Sequence, residues 1–225
     1  MVKVKICGIT TVEDALMCAD AGADYLGFVT EFPQPVPWNL TRKESLQIID
    51  KVRARTSTVV VTTGTPDKIL EVARLIRPDF VQLHGEEKLS EIEELAKGLA
   101  NDNIKVIKAL PIKVGDNKAL FELEEPIEAA LAIESAGVWG ITIDSRTEAM
   151  PAGTGVKADW SLAEKIRSSI SCNFGLAGGL NPDNVCQAIE EVYPDMVDVI
   201  SGVEAKYGEK DASKIKAFIR AAKTA

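Results

Sequence analysis

Apolar and polar residues alternate at the start of the chain, in "VKVKIC" at 2–7, until a glycine ends the pattern. A period of two marks a strand with one buried face. Seven more short apolar runs follow, at 25–29 "YLGFV", 57–62 "STVVVT", 79–83 "DFVQL", 104–109 "IKVIKA", 138–143 "VWGITI", 172–176 "CNFGL" and 196–200 "MVDVI". Between them the spacing changes to three and four residues. This predicts helices over 11–21, 42–54, 66–76, 87–99, about 117–136, 159–169, 182–192 and 211–223. Thr41 before "RKESLQII" and Thr65-Pro66 before "DKIL" are helix starts, and Gly22 follows the first helix as a stop. Strands alternating with helices in this number and length predict an α/β chain, a single (β/α)8 TIM barrel spanning 1–225. An open doubly wound sheet would carry a Gly-rich dinucleotide turn after its first strand, and "CGITT" is not one.

Strand parity then sorts the chemistry. Lys5 and Cys7 share one face, as do Gln82 and His84, and Thr142 and Asp144. Their apolar neighbours suit contact with the outer helices, so the polar set is expected inside the barrel. It lies toward the carboxyl ends of the strands, where barrel active sites are built. A thiol, an ammonium, an imidazole and a carboxylate therefore surround one mouth. His84 is either a structural hydrogen-bonding group or one that polarises a ligand or orients a neighbour. Cys18 and Cys186 fall within helices and Cys172 at the opposite end of a strand, so all three are expected to be packing residues.

Gly-rich turns stand on the same rim. "AGGL" follows the seventh strand and "SGVE" the eighth, with "AGTG" at 152–155 after the sixth. Convergent backbone N–H groups at such turns bind anions, and the loops after strands seven and eight are the usual phosphate site of this fold.

Composition narrows the partners. A net charge of −8 disfavours nucleic acid, which rewards a basic surface. The four cysteines form no C-x-x-C pair, and one histidine cannot build a histidine-rich metal site, so no metal is expected. No signal segment and no bilayer-length apolar run are present, which predicts a soluble cytoplasmic protein with no membrane partner. The helix surfaces assign no oligomeric state.

The motifs "VKICGIT" at 4–10, "DYLGFV" at 24–29, "VQLHG" at 81–85, "ITIDS" at 141–145, "GTG" at 153–155, "GLAGGLNPDNV" at 175–185 and "DVISGVE" at 198–204 resemble, in order, those of the phosphoribosylanthranilate isomerases of tryptophan biosynthesis. The resemblance implies a cofactor-free Amadori rearrangement of a small phosphorylated sugar-amine substrate. It implies Cys7 as general base, Asp144 as general acid, and Gly178, Gly179, Ser201 and Gly202 as phosphate-binding positions. Lys5, one step deeper on the face of Cys7, is the expected basic neighbour that eases thiol ionisation. Gln82, His84, Gly153 and Gly155 are further pocket candidates.

One position departs from that family. Its second βα loop usually reads "SPR", with the arginine gripping the anthranilate carboxylate, and here the stretch is "VPWNL". Trp38 is then a candidate stacking surface for the ring, and Arg42 a candidate cation if the loop doubles back. Two alternatives follow: an isomerase of a related aminoribose phosphate, against which Cys7 argues, and a silent barrel that only binds a phosphorylated ligand. The acidic residues Glu122, Glu124, Glu125 and Glu128 are expected on a solvated helix face, and the loop at 145–155 as a flap over Asp144.

Overall fold

The computed structural model describes residues 1–146 and 159–225. Eight parallel strands close in chain order. They are β1 Lys3–Cys7, β2 Tyr25–Val29, β3 Ser57–Thr62, β4 Phe80–Leu83, β5 Lys105–Lys113, β6 Gly140–Arg146, β7 Asn173–Leu176 and β8 Met196–Val199. The surrounding helices are α1 Val12–Asp20, α2 Arg42–Val52, α3 Pro66–Ile76, α4 Leu89–Ala100, α5 Pro126–Ser135, α6 Trp160–Ser169, α7 Val185–Val192 and α8 Ala212–Thr224. A 3-10 turn at Ser201–Val203 leads into a small hairpin, β9 Glu204–Lys206 with β10 Glu209–Lys210, which periodicity did not reveal.

Local chemistry sets the helix ends. Thr41 forms a full capping box with Glu44, and Thr65 accepts the Lys68 N–H ahead of Pro66. Gly22 takes φ +97°, a left-handed conformation that stops α1. On α3, Ile69, Val72, Ala73 and Ile76 form a single buried stripe against the strands. Burying each of its isoleucines contributes about 1.5–3 kcal/mol. At the amino-terminal ends of the strands, Phe80 packs edge-on to Tyr25 and Trp139, at 5.4 and 4.7 Å. These rings fill the lower interior, and polar groups take over above them.

The stretch expected as a helix from about 117 behaves differently. β5 continues four residues past Ala109, with Pro111 and Lys113 in register with Asp144 and Arg146, and α5 begins only at Pro126. Of the four acidic residues only Glu128 stands on an exposed helix face, while the other three are exposed before the helix starts. Glu122 accepts the Leu89 N–H that begins α4, Glu124 pairs with Lys118, and Glu125 caps α5 through the Glu128 N–H. α7 likewise starts at Val185 rather than 182, because Asn181 and Asn184 bond each other in the preceding turn.

Candidate active site

Strand pairing carries the expected polar residues into the barrel. Lys5 lies in register with Asp198, Gln82 with Ile107, and Thr142 with Ala109 and Gly175. One cavity at the carboxyl ends is lined by Cys7, Gln82, His84, Thr142, Asp144 and Asp198. Close approach of the backbone makes room for them. A Cβ on Gly27 would stand 2.6 Å from Cys7 Sγ, and one on Gly175 would stand 2.6 Å from Thr142 Oγ1.

Cys7 ends β1 and is 3% exposed. Burial pushes its thiol above the ordinary range. The Lys5 ammonium pulls it down, but Asp198 adds to the rise and the net direction is up. Lys5 thus acts in the expected direction, but burial together with Asp198 outweighs it. Lys5 lies beneath the cavity rather than on its wall, fully buried, with Nζ 2.6 Å from Asp198 Oδ2. Burial disfavours its charge, yet Asp198 and Cys7 keep its pKa above the usual lysine value.

Asp198 went unrecognised in the sequence, although a carboxylate inside "MVDVI" is an anomaly in an apolar strand. Its second oxygen, Oδ1, is buried and has no hydrogen-bond partner among the described residues, and the same holds for Gln82 Oε1 and Thr142 Oγ1. Three such atoms on one cavity suit a hydroxyl-rich ligand.

Across the mouth, Asp144 Oδ2 lies 3.7 Å from His84 Nε2, both side chains mostly buried. The imidazole packs edge-on to Phe32, 6.0 Å between centroids. Gly178 and Gly179 adopt φ +87° and +66°, and their N–H groups take no backbone partner among the described residues. Ser201 joins them on the rim. Gly202 stands behind it, where a Cβ would be 1.9 Å from the Leu180 carbonyl oxygen, so only glycine lets the two turns meet. Gly153 and Gly155 lie outside the described residues.

The remaining wall is apolar: Val29, Phe32, Val36, Trp38 and Val61. Trp38 is 1% exposed, its Nε1 donating to Glu204 Oε1 at 2.7 Å, while Lys210 donates to that same oxygen at 2.9 Å. It also packs on Gly8, where a Cβ would meet its ring at 2.7 Å. Arg42 does not reach the cavity. Its guanidinium is held bidentately by Glu31, at 2.6 and 2.9 Å, and by Glu71 at 2.6 Å. That loop does not double back, and Arg42 is no pocket residue.

A sequence profile described as N-(5'-phosphoribosyl)anthranilate (PRA) isomerase matches residues 4–221. The chain belongs to that isomerase family. A family member from Rubrobacter xylanophilus is 37% identical over 225 residues, covering all of both chains. One from Pseudomonas putida is 38% identical, covering all of this chain and 98% of its own. The crystal structure of phosphoribosyl anthranilate isomerase from Thermotoga maritima superposes with a TM-score of 0.83 at 36% identity over both full chains. A phosphoribosyl anthranilate isomerase structure in complex with reduced 1-(o-carboxyphenylamino)-1-deoxyribulose 5-phosphate superposes with a TM-score of 0.79 at 36% identity, again over both full chains. No helix among the described residues is long and apolar enough to cross a membrane.

Proposed function

We propose that this chain isomerises N-(5'-phosphoribosyl)anthranilate to 1-(2-carboxyphenylamino)-1-deoxyribulose 5-phosphate, the rearrangement used in tryptophan biosynthesis. Asp144 protonates the furanose ring oxygen, the C1–O bond breaks, and a Schiff base forms between C1 and the anthranilate nitrogen. The Cys7 thiolate then takes the proton from C2, and the C–H electron pair forms the C1=C2 bond of an enolamine. Tautomerisation gives the ketose, so no atoms are gained or lost. His84 stands beside Asp144 as its polar neighbour. Asp198, Gln82 and Thr142 offer unpaired oxygens to the sugar hydroxyls. The turns at Gly178, Gly179, Ser201 and Gly202 take the phosphate on backbone N–H groups. The apolar wall with Trp38 receives the aryl ring.

The observation that carries the reading is that Cys7 and Asp144, three strands apart around the barrel, line one cavity with the turns after β7 and β8 on its rim. The test is to follow the fluorescence loss of N-(5-phosphoribosyl)anthranilate with wild type, Cys7→Ala and Asp144→Asn. Each substitution is expected to reduce turnover by about 10²–10⁴-fold with ligand binding largely kept. Unchanged turnover in either variant removes that residue from the mechanism. Binding of the phosphorylated ligand without turnover in wild type supports a silent barrel instead.

A further inference from the structure

Lys108 is a charge on the outer face of β5, fully buried among groups that pack the strands against the helices. Its Nζ donates to Glu87 Oε2 at 2.7 Å and to the Gly85 carbonyl at 2.8 Å. Glu87 Oε2 also accepts the Gly85 N–H at 3.1 Å, and its Oε1 takes the Thr63 hydroxyl at 2.6 Å. The pair thus holds both the N–H and the C=O of the residue after His84. On the other side, the His84 N–H donates to the Thr62 carbonyl at 3.1 Å. Residue 85 has no room for a side chain, since a Cβ there would meet Thr63 Oγ1 at 1.8 Å and Glu87 Oε1 at 2.7 Å, so glycine lets the pair close directly on its backbone. Beyond this clamp the imidazole reaches Asp144.

We propose that Glu87 and Lys108 are positioning residues, which fix the His84 backbone so that its ring holds the Asp144 carboxyl in the attitude for proton delivery. This rests on the reading of Asp144 as general acid. A buried ion pair is weak evidence of stabilisation, because apolar residues of equal volume often do as well. What this pair adds is a bonded contact to one loop residue at each of its backbone polar groups. Preorganised acid groups are sensitive to such support, and a small misplacement from a distant change can cost about 10²-fold.

The chain contains one histidine, so its Nδ1 and Nε2 give one pair of side-chain ¹⁵N signals, assignable without overlap and read below as the imidazole signal. The variants are Glu87→Gln, Lys108→Met, the charge-free pair Glu87→Leu/Lys108→Met, and each combined with His84→Ala. The double replacement keeps the test available where a lone buried charge unfolds the barrel. In folded variants we expect kcat to fall by about 10–100-fold with KM near wild type, and the imidazole ¹⁵N signal to shift or broaden. The His84→Ala background should show no further loss, since residues acting through one group are not additive. Wild-type kcat in a folded pair variant overturns the proposal, as do losses that add fully to that of His84→Ala. An imidazole signal unchanged by every variant overturns it too. Because that signal is read without substrate, a wild-type protein inactive on N-(5-phosphoribosyl)anthranilate would sink the functional reading and still leave the clamp tested.

Discussion

Two buried lysine–carboxylate pairs sit on opposite faces of the barrel wall, and they are completed differently. The outer pair, Lys108 with Glu87, has both carboxylate oxygens bonded within the protein. The inner pair, Lys5 with Asp198, leaves Oδ1 of Asp198 buried on the cavity wall without a partner among the described residues. An unpaired buried acceptor costs about 1–3 kcal/mol. The outer pair meets no such cost and acts as scaffold. The inner pair carries one where a substrate hydroxyl would relieve it, so its location marks the ligand's place.

Breaking either pair gives the largest expected effect. Lys5→Met and Lys108→Met each leave a carboxylate buried without its cation, and each is expected to lower the unfolding free energy by about 3–5 kcal/mol in urea titrations. The pairs should separate when both members are replaced. Glu87→Leu/Lys108→Met is expected to recover most of the stability with a partial loss of turnover. Lys5→Met/Asp198→Leu should recover stability while turnover stays down by about 10²–10⁴-fold, the range for a misplaced acid or base. An inner double variant with wild-type kcat would erase the distinction.

A third buried carboxylate gives a smaller effect. Glu204 is bonded by Trp38, Lys210 and the Gly208 N–H. Trp38→Phe removes one donor and leaves the others, so a loss of about 1 kcal/mol is expected from thermal melts.

The outer pair also predicts acid behaviour. Burial raises the Glu87 carboxyl, but the Lys108 charge and the bonds from Lys108 and Thr63 outweigh it and hold the pKa below the usual value. A carboxyl lowered in the folded state contributes stability above its unfolded pKa of about 4.3, and that stability is lost as pH falls through the lower folded value. Glu87→Gln should therefore flatten the pH dependence of stability below about pH 4, as measured by urea midpoints.

Much of this was legible in the chain. Alternation in the first strand and short apolar runs after it located all eight strands, and strand parity put Cys7, Gln82, His84, Thr142 and Asp144 on one cavity, because a strand leaves no other choice of face. The buried carboxylates were harder. Asp198 and Lys108 each interrupt an apolar strand, and that oddity was the available signal, but their partners come from distant segments that a local pattern cannot join. Arg42 was misjudged for the same reason, since Glu31 and Glu71 hold it on the surface. The late start of α5 was readable in "EEP", where a capping carboxylate precedes Pro126 at the first helical turn. The continuation of β5 through Pro111 was not, because β6 imposes it by pairing.

The finest difference between the pairs lies in what Lys5 does for Cys7. Burial holds the thiol above its ordinary range, and only positive charge opposes it, first that of Lys5 and then that of Lys210, against Asp198. The thiolate fraction of the free enzyme should then still be rising through neutral pH. Free-enzyme kcat/KM is expected to climb with pH across that range, and not to level off where an unperturbed thiol would. Stability runs the other way: a raised folded pKa contributes below the unfolded thiol pKa of about 8.5 and is lost as pH climbs through the folded value. Lys5→Met removes the main opposing charge, so its Cys7 alkylation profile, read on the Cys7 peptide by mass spectrometry, should move to higher pH. Lys108→Met, on the far face of the wall, should leave that profile where it is. Coincident profiles for wild type and Lys5→Met would reduce Lys5 to a counter-ion for Asp198, and the inner pair would then differ from the outer one only in its unpaired oxygen.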